Sequence, residues 1–296
     1  MLCNLCPRNC NVDRDKKVGF CKVKGLKINK VMLHYYEEPI ISGSNGSGAI
    51  FFSGCNLKCI FCQNYQVSHF CEGIDITVDN LVEIFKKLEQ MGANNINLVT
   101  PTQFTLQIIS ALDKYRPKIP IIFNTSGYEK CETIEMLKNY ADIFIFDIKY
   151  YSSALSKEYS SSENYFDNAI KSLVKAREIL PEDIIENGLM RKGIIVRHLV
   201  LPGSSTDSIK VLDEINKNLG NKTIVSLMSQ YTPFYKAKNH PILKNQVKDI
   251  EYKRVVKHLI NLGFENAYTQ EKSSSNECFI PDFEEEFNLD KFLNKK

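Results

Sequence analysis

Seven of the ten cysteines fall within the first 62 residues, and their spacing is the feature of the chain that could carry chemistry. Cys55, Cys59 and Cys62 form C-x3-C-x2-C in the run Gly54-Cys55-Asn56-Leu57-Lys58-Cys59-Ile60-Phe61-Cys62. Thiolates are soft ligands, suited to iron–sulfur centres and zinc. Three on one loop supply one ligand fewer than the irons of a cubane cluster need, which leaves one iron open to a substrate. The competing readings are a zinc site and free thiols. Cys3, Cys6, Cys10 and Cys21 form C-x2-C-x3-C-x10-C, and four thiols can fill a zinc ion or a second cluster completely. Their spacing matches neither a ferredoxin nor a pair of zinc knuckles, so a second Fe–S cluster, structural zinc and free or redox-paired thiols all stay open. Closely spaced thiols in a reducing compartment read as metal ligands before disulfides. Cys71, Cys131 and Cys278 stand alone and read as free thiols.

The elements that must position these groups follow from hydrophobic periodicity. Ala49–Ser53 (AIFFS) reads as a short buried strand directly before the triplet. Leu81, Ile84, Phe85, Leu88 and Met91 recur at helical spacing, with Asp79 near the start and Gly92 after the end. Further strands read at Ile96–Thr100, Pro120–Asn124, Ile143–Ile148, Ile194–Leu201 and Ile224–Gln230, separated by helices near 104–115, 132–139, 166–179 and 206–218. A last helix near 249–262 carries Tyr252, Val255, Val256, Leu259 and Leu262 on one core-facing side. This alternation implies a parallel sheet with helical crossovers: an α/β fold, a partial parallel (β/α)6 barrel two strands short of eight. Residues 1–46 read as a cysteine-rich N-terminal extension, with a strand from Leu26 to Tyr36 and a flexible connector in SGSNGSG, residues 42–48. Residues 47–270 read as the barrel and 271–296 as a C-terminal tail. The serine-rich stretch 151–162 reads as an exposed loop.

In such a barrel, active sites sit at the C-terminal ends of the strands, where the triplet falls. Asp147 and Lys149 share a face at the end of the fourth strand, and Arg197 lies on an otherwise apolar face of the fifth with Ile195 and Leu199. A buried charge needs a partner, either a structural salt bridge or a ligand carboxylate. The bland reading of Asp147 and Lys149 is an ion pair, and that of Asn124 and Ser126 is a turn. The five histidines show no mutual metal spacing, and His198 points away from Arg197 into the helix packing.

The triplet, with Phe61 before its last cysteine, resembles the radical S-adenosylmethionine (radical SAM) superfamily, from about Gly48 to Pro233. The resemblance implies a [4Fe–4S] cluster on Cys55, Cys59 and Cys62 whose open iron chelates S-adenosylmethionine. Reductive cleavage of that cofactor gives a 5′-deoxyadenosyl radical that abstracts hydrogen from a substrate. Within the superfamily the chain is similar to the pyruvate formate-lyase activating enzyme branch. The similarity rests on NTSGY (Asn124 to Tyr128), Asp147-Ile148-Lys149, IIVRHLVLPG around Arg197, and SLMSQYTPF with Gln230. It implies cofactor contacts from Phe61 near the adenine and from Asn124, Ser126, Asp147, Lys149, Arg197 and Gln230. Thr100-Pro101-Thr102 stands where that branch has Gly-Gly-Glu, so Thr100 and Thr102 are the candidates for the cofactor's amino group. Asn124 stands where those enzymes place an Asp, and residues 43–54 lack their Arg. The implied partners are a protein or peptide substrate, such as a glycyl radical enzyme, and an electron donor such as flavodoxin or ferredoxin. Modification of a small molecule or precursor peptide, and a non-catalytic iron–sulfur or zinc scaffold, are the rival readings.

Composition narrows the field. The 296 residues carry 38 basic and 35 acidic side chains, a net charge of +3 that gives no electrostatic case for nucleic acid. No apolar run approaches the roughly 20 residues that span a bilayer. The start MLCNLCPRNC lacks the apolar core of a signal peptide, which makes the cytoplasm the expected compartment.

Overall fold

The computed structural model describes residues 2–270, 281, 283 and 286–294. Cys278 and most of 271–285 lie outside the described residues. After a stretch of turns, β1 (Lys27–His34) runs to a one-turn helix, α1 (Pro39–Ser42), and then to β2 (Ser47–Phe52). Beyond the cysteine loop come α2 (Tyr65–Ser68), the short β3 (Ile74–Asp75), α3 (Val78–Gln90), β4 (Ile96–Val99), α4 (Thr105–Lys114) and β5 (Ile121–Thr125). The chain continues through α5 (Cys131–Met136), β6 (Ile143–Asp147), α6 (Ser153–Ser160), α7 (Tyr165–Ile179), β7 (Ile184–Glu186) and β8 (Leu189–Leu199). It closes with α8 (Ser205–Leu219), β9 (Ile224–Met228), α9 (Asp249–Asn261), β10 (Ala267–Thr269) and α10 (Leu289–Asn294).

The sheet order is β10-β9-β8-β6-β5-β4-β2-β1-β3, with β7 paired antiparallel to β8 as a hairpin. Strands β2, β4, β5, β6, β8, β9 and β10 are mutually parallel; β1 joins antiparallel to β2 and β3 antiparallel to β1. The six expected strands are therefore present, a seventh (β10) extends the sheet, and the barrel does not close. Side chains alternate as the pleat requires. Phe144 and Phe146 of β6 pack outward under the helices, while Ile143 and Ile145 point inward. Helix α3 shows how local signals fix an element. Thr77 caps it through the Asn80 amide while the Asn80 side chain accepts from the Thr77 amide, and Leu81, Ile84, Phe85 and Leu88 bury its apolar stripe. Burying each such side chain contributes about 1.5–3 kcal/mol.

Three expectations change. The SGSNGSG stretch is not a flexible connector but a tight turn packed on the sheet, and β1 belongs to that same sheet. A Cβ at Gly43, which has φ 49°, would meet the Leu189 and Asn94 side chains at 2.7 and 2.8 Å. Asn94 and Asn95 donate to the carbonyls of Ser42 and Ile41, at 2.6 and 2.8 Å. Residues 1–46 therefore divide: the cysteine-rich part ends near residue 25, and the remainder builds the barrel edge and floor. Ile40 and Ile41 of α1 plug the barrel interior against Ile122, Ile143, Ile145 and Ile195. Residues 151–162 are not an exposed loop: they contain α6, and Ser156, Tyr159, Ser160 and Ser162 are buried. Among the described residues no helix is long and apolar enough to cross a membrane.

Candidate active site

The cysteine loop begins where β2 ends. Gly54 makes the turn at φ 80°, and a Cβ there would lie 2.5 Å from the Cys21 carbonyl oxygen, so only glycine lets the N-terminal segment pack so close. The loop is then tied on every side. Lys58 and Ile60 donate backbone bonds to the carbonyls of Ser160 and Tyr159, at 3.2 and 2.8 Å. The Asn56 amide donates to the Tyr128 carbonyl at 2.7 Å, and Ser126 donates to the Asn56 side-chain oxygen at 3.1 Å. The His69 ring meets the Cys59 carbonyl at 3.0 Å. Gln103, which the sequence did not single out, stitches the strand ends by donating to the carbonyls of Ser53, Gly54 and Thr100 at 2.9–3.1 Å.

Cys55, Cys59 and Cys62 line one side of a cavity of about 690 Å³ at the C-terminal ends of the parallel strands. Each sulfur has a hydrogen-bonding neighbour: the Leu57 amide to Cys55 at 3.4 Å, the Ser160 hydroxyl to Cys59 at 2.9 Å, and the Ser68 hydroxyl beside Cys62 at 3.2 Å. Burial pushes the Cys55 and Cys59 thiols up to about 11, with Lys149 pulling the other way. Binding an electrophilic metal there must therefore release protons. Among the described residues no three His, Cys, Asp or Glu side chains are gathered tightly enough to hold a single ion. A donor set of three thiols on one loop suits a cubane, which takes each thiolate on a separate iron.

The other expected residues divide. Phe61 lines the cavity with its ring edge-on to Tyr150 and Tyr231, at centroid distances of 6.5 and 6.1 Å. Thr100, Asn124, Ser126, Asp147, Lys149, Arg197 and Gln230 all line it too. Thr100 sits at φ 57°, an uncommon conformation for a β-branched residue, and its amide donates to the Asn124 carbonyl at 2.9 Å. Lys149 and Asp147 form a 2.6 Å ion pair, and although burial disfavours the ammonium, that carboxylate holds its pKa above the ordinary lysine value.

Thr102 is corrected: its side chain is buried away from the cavity and donates to the Glu129 carboxylate at 2.6 Å. Arg197 is corrected in its partner. Its guanidinium is already held by two carboxylates, bonding Glu38 through Nε at 2.7 Å and both Glu37 and Glu38 through Nη2. Burial works to raise the Glu38 carboxyl, but the adjacent guanidinium outweighs it and holds the group below the usual carboxylate range. Glu37 and Glu38 line the cavity floor beside α1 and escaped the sequence reading because they were assigned to the extension. The adjacent pair before Pro39 was the available signal. His198 faces the helices, with Nδ1 2.6 Å from the Ile148 carbonyl.

The quartet lies behind the cysteine loop. Cys6 lies within electrostatic reach of Cys10 and Cys21, and Cys21 within reach of Cys3 and Cys10. Burial, with the nearby Glu129, pushes the Cys6 thiol up to about 12. Arg8 bolts this segment to the site, donating to the Asn56 carbonyl at 2.8 Å and the Ser161 carbonyl at 2.7 Å while its guanidinium lies 3.7 Å from the Phe20 ring centre.

An open parallel barrel whose strand ends converge on three thiols beside a polar cavity defines a cofactor-dependent α/β enzyme. Residues 49–215 match the Radical SAM superfamily. The chain is 32% identical over 257 residues to an uncharacterized protein of Methanocaldococcus jannaschii, covering 83% of this chain and 70% of that one. It is 22% identical over 231 residues to the pyruvate formate-lyase-activating enzyme of Clostridium pasteurianum, covering 74% and 90%. In three dimensions it resembles Streptococcus suis SuiB bound to the precursor peptide SuiA, with a TM-score of 0.51, 15% identity and 81% of this chain covered. The chain spans about half of SuiB's length (52%), and at that identity the likeness speaks for the fold. The chain belongs to the radical SAM superfamily and is a radical SAM enzyme related to the pyruvate formate-lyase activating branch. Membership implies a [4Fe–4S] cluster and S-adenosylmethionine.

Proposed function

We propose that Cys55, Cys59 and Cys62 hold the [4Fe–4S] cluster, that S-adenosylmethionine fills the adjoining cavity, and that the substrate is a protein or peptide. The observation that carries this reading is that these three thiols, and no other described cysteine, line a cavity formed by strand ends. When bound and reduced, the cluster supplies the electron that splits S-adenosylmethionine into methionine and a 5′-deoxyadenosyl radical able to take hydrogen from a substrate. The chain's own residues bind and orient. Phe61, backed by Tyr150 and Tyr231, offers an apolar wall for the adenine. Lys149 offers a cation to the methionine carboxylate, while Asn124, Ser126, Gln230 and Thr100 offer hydrogen bonds. Phe51, Val99, Leu199 and Leu201 exclude water from the region in which a radical would be exposed.

A polypeptide substrate is supported by the unclosed barrel, by similarity to an enzyme that activates pyruvate formate-lyase, and by likeness to an enzyme solved with its precursor peptide. A glycyl radical enzyme is the first candidate, and a flavodoxin or ferredoxin is the electron donor to try with it. Cys3, Cys6, Cys10 and Cys21 are proposed to hold a separate metal centre with no open position, an auxiliary Fe–S cluster or zinc, of which zinc would require the thiols to draw closer than they stand here. The enzyme works in a reducing, oxygen-poor cytoplasm. The test is anaerobic turnover with candidate polypeptides carrying deuterium. Deuterium appearing in 5′-deoxyadenosine identifies the substrate, and a labelled small metabolite doing so in its place would overturn the polypeptide assignment.

A further inference from the structure

Ser160 ends α6 fully buried, and the cysteine loop wraps its backbone: the Ser160 carbonyl accepts from the Lys58 amide and the Tyr159 carbonyl from the Ile60 amide. That framing aims the Ser160 hydroxyl at the Cys59 sulfur, 2.9 Å away. The Tyr150 hydroxyl lies 2.7 Å from the same Ser160 oxygen. A serine hydroxyl has one hydrogen to give. Since Ser160 gives it to sulfur, Tyr150 must be the donor in the second bond. The direction is therefore set: Tyr150 O–H to Ser160 Oγ, and Ser160 O–H to Cys59 Sγ. Burial pushes the Tyr150 phenol well above its ordinary pKa, so it keeps the proton it donates. Chained hydrogen bonds polarise one another, so the phenol strengthens the serine as a donor. The Ser68–Cys62 contact is longer, at 3.2 Å, and Cys62 is half-buried.

Resting on the cluster assignment proposed above, we infer that the Tyr150–Ser160 hydroxyl relay onto Cys59 tunes the cluster's reduction potential. Reduction adds a negative charge to the cluster, part of which falls on its sulfurs. A hydrogen bond to a ligand sulfur favours the more negative form and raises the potential. Ser160 and Tyr150 are thus positioning and tuning residues that act through Cys59. The relay makes the electron easier to place on a cluster held in part by the buried thiolates of Cys55 and Cys59.

The experiment is an EPR-monitored redox titration of the anaerobically reconstituted full chain. Ser160→Ala should move the midpoint to more negative potential by at least a tenfold change in the reduction equilibrium, which is 59 mV for one electron. Tyr150→Phe should move it the same way by less, with Ser160 still in place. Ser160→Thr, which keeps a hydroxyl, should restore most of the shift. Ser156→Ala is the control for damage to α6, because the Ser156 hydroxyl bonds the Ser153 carbonyl and no thiol. Its midpoint should match wild type. A wild-type midpoint unmoved by Ser160→Ala and Tyr150→Phe, or moved equally by Ser156→Ala, would overturn the relay. Failure of the wild-type chain to take up any reducible cluster would instead overturn the assignment on which the relay rests.

Discussion

Cys55, Cys59 and Cys62 hang from the end of a central strand, whereas Cys3, Cys6, Cys10 and Cys21 ride on turns joined by one isolated bridge between Leu2 and Asp13. Every thiol of the triplet meets a hydrogen-bonding group and lines the cavity. None of the quartet lines that cavity, and its segment is tied to the barrel by Arg8, by Arg14 against the Phe104 ring, and by Lys130 and Thr133, which donate to Asn4 and the Leu5 carbonyl. The triplet is pre-organised by the scaffold before any metal arrives. With the metal proposed for it, the quartet would draw much of its order from that metal, as small thiolate centres do. A site that leaves a coordination position open needs a rigid frame, while a fully ligated one can supply its own.

The sharpest way to break this comparison is to delete one centre and look for the other. Replacing Cys55, Cys59 and Cys62 together with Ala should remove about four irons per chain, those of one cubane. Metal should remain at the quartet, read by metal analysis as iron or zinc. Loss of all metal from that protein would mean the quartet is not an independent centre. Next in size is the cavity floor. Arg197→Ala leaves Glu37 and Glu38 buried without their cation and should destabilise the chain by about 3–5 kcal/mol in urea unfolding. A loss under about 1 kcal/mol, the range of exposed ion pairs, would show that the triad is solvated.

Glu129 lies between the two regions, bonded by Thr102 and Thr125 and close enough to weigh on Cys6. Burial raises its carboxyl to about 7, and one of its oxygens has no partner. A folded-state pKa above the unfolded one means the native protein binds the extra proton. This residue's contribution to stability therefore falls as pH rises from about 4.5 to about 7 and levels off above that. Glu129→Gln should remove that slope and stabilise the protein above neutral pH by an amount on the order of 3 kcal/mol at most. Chemical denaturation at pH 5 and pH 8 measures both, and an unchanged slope would return Glu129 to an ordinary ionised state. The smallest effect is expected at the bolt between the regions. Arg8→Ala gives up charged hydrogen bonds to two carbonyls and should cost about 1.5–3 kcal/mol. It should also speed amide exchange in the cysteine loop without removing its metal.

The strand–helix alternation was legible because a parallel strand buried on both faces must be an apolar run and its crossover helix must carry an apolar stripe. Cys55, Cys59, Cys62 and Phe61 were legible for the same local reason, since one strand end presents them all. What escaped reading depends on contacts distant in sequence. Ser160 reaches Cys59 across 101 positions, and nothing in a run of serines announces that α6 is buried. Glu37 and Glu38 meet Arg197 across about 160 positions. Thr102 was assigned to the cavity by its place in a motif, and the carboxylate that claims it, Glu129, lies 27 residues on.

The triplet, and not the quartet, is proposed to carry the open-sited cluster. That assignment is tested most directly by anaerobic reconstitution, reduction with dithionite, and measurement of 5′-deoxyadenosine from S-adenosylmethionine in the wild-type chain, Cys59→Ala and Cys6→Ala. The expected result is formation by wild type, none by Cys59→Ala, and continued formation by Cys6→Ala. Formation by Cys59→Ala at the wild-type rate would contradict it.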